Sequence, residues 1–174
     1  QPALRTAASF HDQPVYIEAL ANSIAAHLKT LDFTPDKVLM SYHGIPKAYF
    51  DKGDPYHCHC HKTTRLVSER LGWAPDFALT TFQSRFGPTE WLKPYTDKTL
   101  EALPGEGVKN LTVVSPAFIS DCLETLEEIA MEGRESFMDA GGENYSVVPC
   151  LNDTEPGIDV IEDVVRRELG GWAG

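Results

Sequence analysis

Apolar positions along the chain follow two alternating rhythms. Between Pro14 and Lys29, residues Tyr16, Ile17, Leu20, Ile24, Ala25 and Leu28 recur at steps of three and four, the period of one helical face. Pro14 suits the first turn of that helix, and Phe33-Thr34-Pro35-Asp36 breaks it. Lys37 to Tyr42 is a short, nearly continuous apolar run, which predicts a buried strand ending in the loop His43-Gly44-Ile45-Pro46. Asp54 as cap and Pro55 at the first position predict a second helix, running to Leu71 and closed by Gly72. The pattern then predicts a strand over Phe77–Phe82, a helix over Thr96–Leu103 and a strand over Asn110–Ser115. A helix from Leu123 to about Ala140, with Gly133 as a candidate break, a strand over Tyr145–Val148 and a helix over Pro156–Leu169 complete the order.

One helix followed by four strand–helix alternations predicts an α/β fold of Rossmann-like type: a three-layer α/β/α domain around a four-stranded parallel sheet. Residues 1–174 are expected to form a single domain. Ligands in such sheets sit outside the carboxyl ends of the strands. The loops after the first three strands should therefore open on one shared edge.

Composition narrows the function classes. The formal net charge of −11 would repel a phosphate backbone, so no nucleic-acid partner is expected. The same excess disfavours a broad electrostatic membrane surface, leaving membrane contact at most peripheral. No run approaches the roughly 18 apolar residues of a membrane span. The chain begins at Gln1 without a secretory leader, and is expected to be part of a longer protein. Cys58, Cys60, Cys122 and Cys150 are then expected as free thiols in a reducing, cytoplasmic compartment.

The strand-end loops carry the candidate chemistry. His43 follows the first strand directly, beside a glycine that lets a ligand approach, and is placed for proton transfer or metal ligation. The second strand leads into Thr81-Phe82-Gln83-Ser84-Arg85-Phe86-Gly87-Pro88, followed by Trp91 and Tyr95. Polar tips beside aromatic faces suit a flat organic ligand with acidic groups, although the same aromatics could be core and Arg85 a solvated surface residue. After the third strand, Glu124, Glu128 and Glu132 would share one face of a helix, with Leu123, Leu126 and Ile129 as its apolar face. Like charges at that spacing repel, which solvent or a cation must offset. His57-Cys58-His59-Cys60-His61 suggests metal, but Cys58 and Cys60 would point apart on a helix and His57 with His61 could clamp an ion only weakly. Four thiols in all are enough for a two-iron cluster.

Taken in order, Ser41-Tyr42-His43-Gly44-Ile45-Pro46, Asp51-Lys52-Gly53-Asp54-Pro55-Tyr56, Thr81 to Gly87 with Trp91 and Pro94-Tyr95-Thr96-Asp97, and Ser120-Asp121-Cys122-Leu123-Glu124-Thr125-Leu126-Glu127-Glu128 resemble ferrochelatase, in the style of proteobacterial members. The resemblance covers Tyr16 to about Asn152. It implies a chelatase-type fold of two similar domains around a porphyrin cleft, this chain being the C-terminal half and the N-terminal domain its missing partner. It implies insertion of ferrous iron, as substrate, into protoporphyrin IX in heme biosynthesis, with a half-chain inactive alone. The family's catalytic residues fall on His43 and Glu124, and its line of acidic residues on Glu128 and Glu132. The metal-handling set implied is His43, Glu124, Glu128 and Glu132. Tyr42, Ser84, Arg85 and Trp91 are the expected substrate-binding set. Many members carry a histidine where this chain has Cys122. Some bind a [2Fe-2S] cluster, for which Cys58, Cys60, Cys122 and Cys150 are the candidates here. The alternatives are a related chelatase of sirohydrochlorin-type rings and a non-catalytic metal or iron–sulfur binding module.

Overall fold

Strand β1 (Lys37–His43) is the centre on which the rest assembles. The structure is a computed structural model and describes residues 4–172. The four strands, with β2 (Ala78–Gln83), β3 (Asn110–Val114) and β4 (Asn144–Val147), form one sheet in the order β2-β1-β3-β4. All three pairings are parallel, so every carboxyl end points the same way. β1 continues past its last pairing with β3, Met40 to Val114, and stays paired with β2 as far as His43 to Gln83. His43 thus stands at the forward edge of the sheet.

Strand periodicity divides the core in two. Val38, Met40 and Tyr42 face one side, where α1 (Pro14–Leu28), α3 (Tyr56–Leu71) and α6 (Glu155–Glu168) pack. Leu39 faces the other with Leu111 and Val113, against Leu100, Ile129 and Phe137. Those residues come from α4 (Thr96–Ala102), a π-helix (Glu124–Glu132) and α5 (Gly133–Asp139). Helices therefore cover both faces, as the alternation predicts. Truncating a fully buried residue such as Leu39 should cost about 2–5 kcal/mol. Among the described residues, no helix is long and apolar enough to cross a membrane.

Several element boundaries differ from the sequence reading. β2 and β4 are displaced by one residue, and a short helix α2 (Lys47–Asp51) follows β1. Pro55, not Asp54, is the cap of α3, and Asp54 lies one residue earlier, accepting from the Tyr56 amide at 2.9 Å. The larger difference lies after β3. The predicted α-helix from Leu123 is a π-helix for nine residues and becomes α only at Gly133. An i→i+5 ladder widens the turn to roughly 4.4 residues and redirects the side chains. Ile129 is buried at 1% exposure, but Leu123 and Leu126 are 70% and 57% exposed, so the expected apolar face is not formed. Gly133 changes the helix type without breaking it. A Cβ there would meet the Tyr145 hydroxyl at 2.8 Å and Leu100 Cδ1 at 3.2 Å. The Tyr145 hydroxyl donates to the Ile129 carbonyl at 2.8 Å, holding the wide turn against β4.

Candidate active site

The carboxyl ends of β1, β2 and β3 bring together His43, Ser84 and the start of the π-helix. His43 Nδ1 lies 2.7 Å from the Gly44 carbonyl oxygen. A carbonyl can only accept, so Nδ1 carries the hydrogen and Nε2 presents its lone pair. The backbone at this point is held by Tyr56, whose hydroxyl donates to the His43 carbonyl at 2.9 Å. Trp91 and Phe118 flank the imidazole, each with its ring centre 6.3 Å away. Gly44 makes this packing feasible: a Cβ would stand 2.9 Å from the Gln83 carbonyl oxygen and 3.1 Å from Trp91.

Glu124 opens the π-helix on the same edge. The Cys122 thiol donates to its carboxylate at 2.9 Å. That hydrogen bond, then the Glu124 backbone amide and the nearby His43 imidazole, hold the Glu124 carboxyl below its ordinary pKa. Asp121 braces this corner, accepting from Thr125 Oγ1 at 3.0 Å and from Asn152 Nδ2 at 2.7 Å, while Asn152 Oδ1 accepts from the Asp121 amide at 2.8 Å. Asn152 does this with a positive φ of 51°, a conformation its short polar side chain tolerates.

Further along the π-helix, Glu128 reaches across to the β2 loop. It accepts from the Ser84 amide at 2.7 Å and from the Ser84 hydroxyl. Ser84 has a φ of +62°, unusual for a residue with a Cβ, and its two hydrogen bonds to Glu128 offset that strain. Ser84, Glu128 and Glu132 line a cavity of about 420 Å³, with Gln83, Thr96 and Ser136. Gln83 is 3% exposed; its Oε1 accepts from Ser41 Oγ at 2.8 Å, and its Nε2 has no partner among the described residues.

The other predicted residues are distributed as follows. Trp91 flanks His43. Arg85 is exposed, paired with Asp97 at 2.8 Å and stacked 4.5 Å over the Tyr95 ring, an arrangement that leaves it beside the cavity rather than solvated alone. Tyr42, the remaining member of the expected substrate-binding set, stands on the other face of the sheet. It is 2% exposed, and its hydroxyl is bonded to Thr64 Oγ1 at 2.9 Å. Alternation along β1 turns it to the face opposite Ser41, where it forms part of the wall of a separate apolar cavity of about 390 Å³ with Tyr16, Tyr56 and Cys60.

The thiols do not fit a cluster. Cys58 is exposed and Cys60 buried, two residues apart on α3, because helical winding points them apart. Burial pushes the Cys60 thiol up to about 12, and burial with the Asp121 carboxylate raises that of Cys150, both opposing the thiolate a metal requires. Among the described residues, no group of three or more His, Cys, Asp and Glu side chains is placed to hold a metal ion. The expectation of a [2Fe-2S] cluster from this chain's thiols finds no gathered site.

Phe118 and the Asp121–Asn152 brace were not singled out from sequence. Position offered a signal for the first, since Phe118 lies in the loop after a strand whose neighbours carry candidate residues. Asn152 offered none, since its role depends on a contact 31 residues away in the chain.

The fold is shared with a solved putative cobalamin (vitamin B12) biosynthesis CbiX protein from Marinobacter aquaeolei, at a TM-score of 0.51 and 18% identity over 79% of this chain and 99% of that one. A sequence model of ferrochelatase matches residues 1–169. The chain is 64% identical to a ferrochelatase of Allorhizobium ampelinum over 99% of its length and 50% of that protein. It is 62% identical to one of Rhizobium meliloti, again over 99% of this chain but 51% of the relative. The chain belongs to the ferrochelatase family, and it spans about half the length of the curated relatives it matches.

Proposed function

We propose that this chain is the C-terminal half of a chelatase that inserts ferrous iron into protoporphyrin IX, and that it needs an N-terminal half to do so. The observation that carries the reading is that His43, ending β1, and Glu124, opening the π-helix that follows β3, stand at the same carboxyl edge of the sheet. Family membership supports the reaction class, and the relatives' double length supports the missing half.

Metal insertion exchanges two pyrrole N–H protons for one divalent cation. A proton acceptor and a metal path must therefore reach the ring centre from the same side or from opposed sides. His43 Nε2, left without the proton when the neutral ring donates through Nδ1 to Gly44, suits proton acceptance. Glu124 stays ionised and can orient the imidazole or take the second proton. Glu132 and Glu128 lead from the cavity toward Glu124 and can pass hydrated ferrous iron inward by successive oxygen ligation. Trp91 and Phe118 offer apolar faces against which a bent macrocycle packs, with contacts remote from the nitrogens supplying the distortion. Arg85 suits a peripheral carboxylate of the porphyrin once Asp97 releases it. The N-terminal half supplies the opposite wall of the cleft. The compartment proposed is the cytoplasm, with any membrane contact peripheral.

The test is reconstitution: this chain alone, then with the complementary half, assayed for porphyrin binding and ferrous insertion by loss of free-porphyrin fluorescence. The chain alone should be inactive and the pair active. His43→Ala in the pair should abolish insertion with an unchanged circular-dichroism spectrum. Near-normal turnover by that variant would remove the proposed centre.

A further inference from the structure

The segment His57-Cys58-His59-Cys60-His61 enters none of the chemistry above. It forms the first turns of α3, and the winding sends its members to different surroundings. Cys60 points into the core and Cys58 to solvent. His59 stacks on His11 of the N-terminal segment, ring centres 3.7 Å apart and nearly parallel at 13°. His57 and His61, one turn apart, face each other with ring centres 4.5 Å apart and planes tilted by 49°.

Aromatic packing holds this pair. Phe82 stacks on His57 at 5.7 Å and 20° and reaches His61 at 6.4 Å, while Phe50 lies 5.0 Å from His57 on its other side. Among the described residues, neither imidazole hydrogen-bonds to the protein, so both rings keep their nitrogens for an external partner. A crevice of about 200 Å³ adjoins His57, with Lys47, Glu90 and Lys93 at its rim. Its charges are already paired, Lys47 with Asp51 at 2.6 Å and Lys93 with Glu90 at 2.7 Å, so no bare ammonium opposes a cation there.

Two imidazoles four residues apart on a helix can direct nitrogen lone pairs at one point, the spacing that helical zinc sites use. We infer that His57 and His61 form an exchangeable two-imidazole site for a borderline divalent transition ion, of the class of Cu²⁺, Ni²⁺ and Zn²⁺, with water filling the remaining positions. Hard ions such as Mg²⁺ and Ca²⁺, which take oxygen ligands, are excluded by the donor set. With no third side-chain ligand among the described residues the site is open, unlike a closed structural zinc centre. It lies on α3, across the sheet from the π-helix, and does not depend on the chelatase reading.

The experiment titrates the intact chain with Ni²⁺, Zn²⁺ and Mg²⁺ by calorimetry, and follows histidine ring signals by NMR under substoichiometric Cu²⁺. One transition ion should bind per chain, Mg²⁺ should not, and paramagnetic broadening should begin at His57 and His61. His57→Ala and His61→Gln should each weaken binding on the order of a hundredfold, since two-point attachment becomes one-point. Their circular-dichroism spectra should match the parent. Glu128→Gln with Glu132→Gln should leave the affinity unchanged. Retained affinity in both histidine variants, first broadening at His43 or at His11 with His59, or loss of binding in the glutamate variant would each overturn the assignment.

Discussion

Glu128 accepts two hydrogen bonds from Ser84, one from its amide at 2.7 Å and one from its hydroxyl, and so ties the π-helix to the loop after β2. The tie joins the two elements between which the proposed acidic path runs. It also restrains a serine in a backbone region that L-residues rarely adopt. Glu128→Ala should therefore cost roughly 1–2 kcal/mol, discounted for partial exposure, and release the loop. Amide exchange at Ser84 and Arg85 should accelerate more than at β1; equal protection in parent and variant would deny the tie any role.

Gly44 is packed between the Gln83 backbone and the Trp91 ring. Gly44→Ala should push against a carbonyl that cannot retreat without breaking the Gly44 N–H bond to Gln83, made at 2.8 Å. A loss of about 1–3 kcal/mol is expected, read from denaturant midpoints. Trp91 fluorescence should shift in the folded variant, because the ring must move.

Gly133 and Tyr145 contend for one space. In Gly133→Ala, the new Cβ would lie 2.8 Å from the Tyr145 oxygen, displacing the hydroxyl from the Ile129 carbonyl. The variant should lose about 1–3 kcal/mol. Adding Tyr145→Phe removes the clashing oxygen, so the double variant should be more stable than the sum of the single losses. Strict additivity in that double-mutant cycle would show that the two residues do not interact.

Three histidines make the fold sensitive to mild acid. Burial lowers the pKa of His11, helped by neighbouring His59 and by Lys62 and opposed by Asp12. Burial also lowers His27, and burial with His57 lowers His61. A histidine whose folded pKa lies below its unfolded value binds more protons when unfolded. Its contribution is complete above pH of about 6.5 and is lost as pH falls toward the folded value. Melting temperature should be level from about pH 8 to 7 and decline from about pH 6.5 to 5. His27→Leu, which removes a half-buried ring whose Nε2 is buried with no partner among the described residues, should flatten part of that decline.

Tyr42→Phe distinguishes core from ligand contact. It removes one hydroxyl bonded to Thr64 and should cost about 1 kcal/mol. Porphyrin affinity of the reconstituted pair should be unchanged, whereas Trp91→Ala should weaken it.

The parallel sheet was legible because short strand-like segments alternate with helical ones, and in β1 Val38, Leu39 and Met40 are fully buried as an apolar run between two helical layers requires. The edge carrying His43, Ser84 and Glu124 followed from topology alone, since parallel strands share one carboxyl end. What sequence could not convey was helix type. Glu124, Glu128 and Glu132 read equally well at four-residue spacing on an α- or a π-helix, and the choice is made by contacts with Tyr145 and Ser84 that lie far along the chain. For the same reason Leu123 and Leu126 read as core and are not. Tyr42 stands apart from the rest of its motif because its neighbours His43 and Ser41 face the other way, a distinction lost when a motif is read as one contiguous block.

The wide turn from Glu124 to Glu132 carries a consequence for how this segment tolerates change in length. A ladder bonded five residues apart holds, in effect, surplus backbone relative to the ordinary winding that follows it. Removing one residue there would let the coil tighten to the common form, eight residues at 3.6 per turn replacing nine at roughly 4.4, which turns the start of the segment about 60° round the axis relative to its end. Length in this stretch thus sets the alignment of the acids, and insertions or losses would be felt as misdirection rather than as collapse.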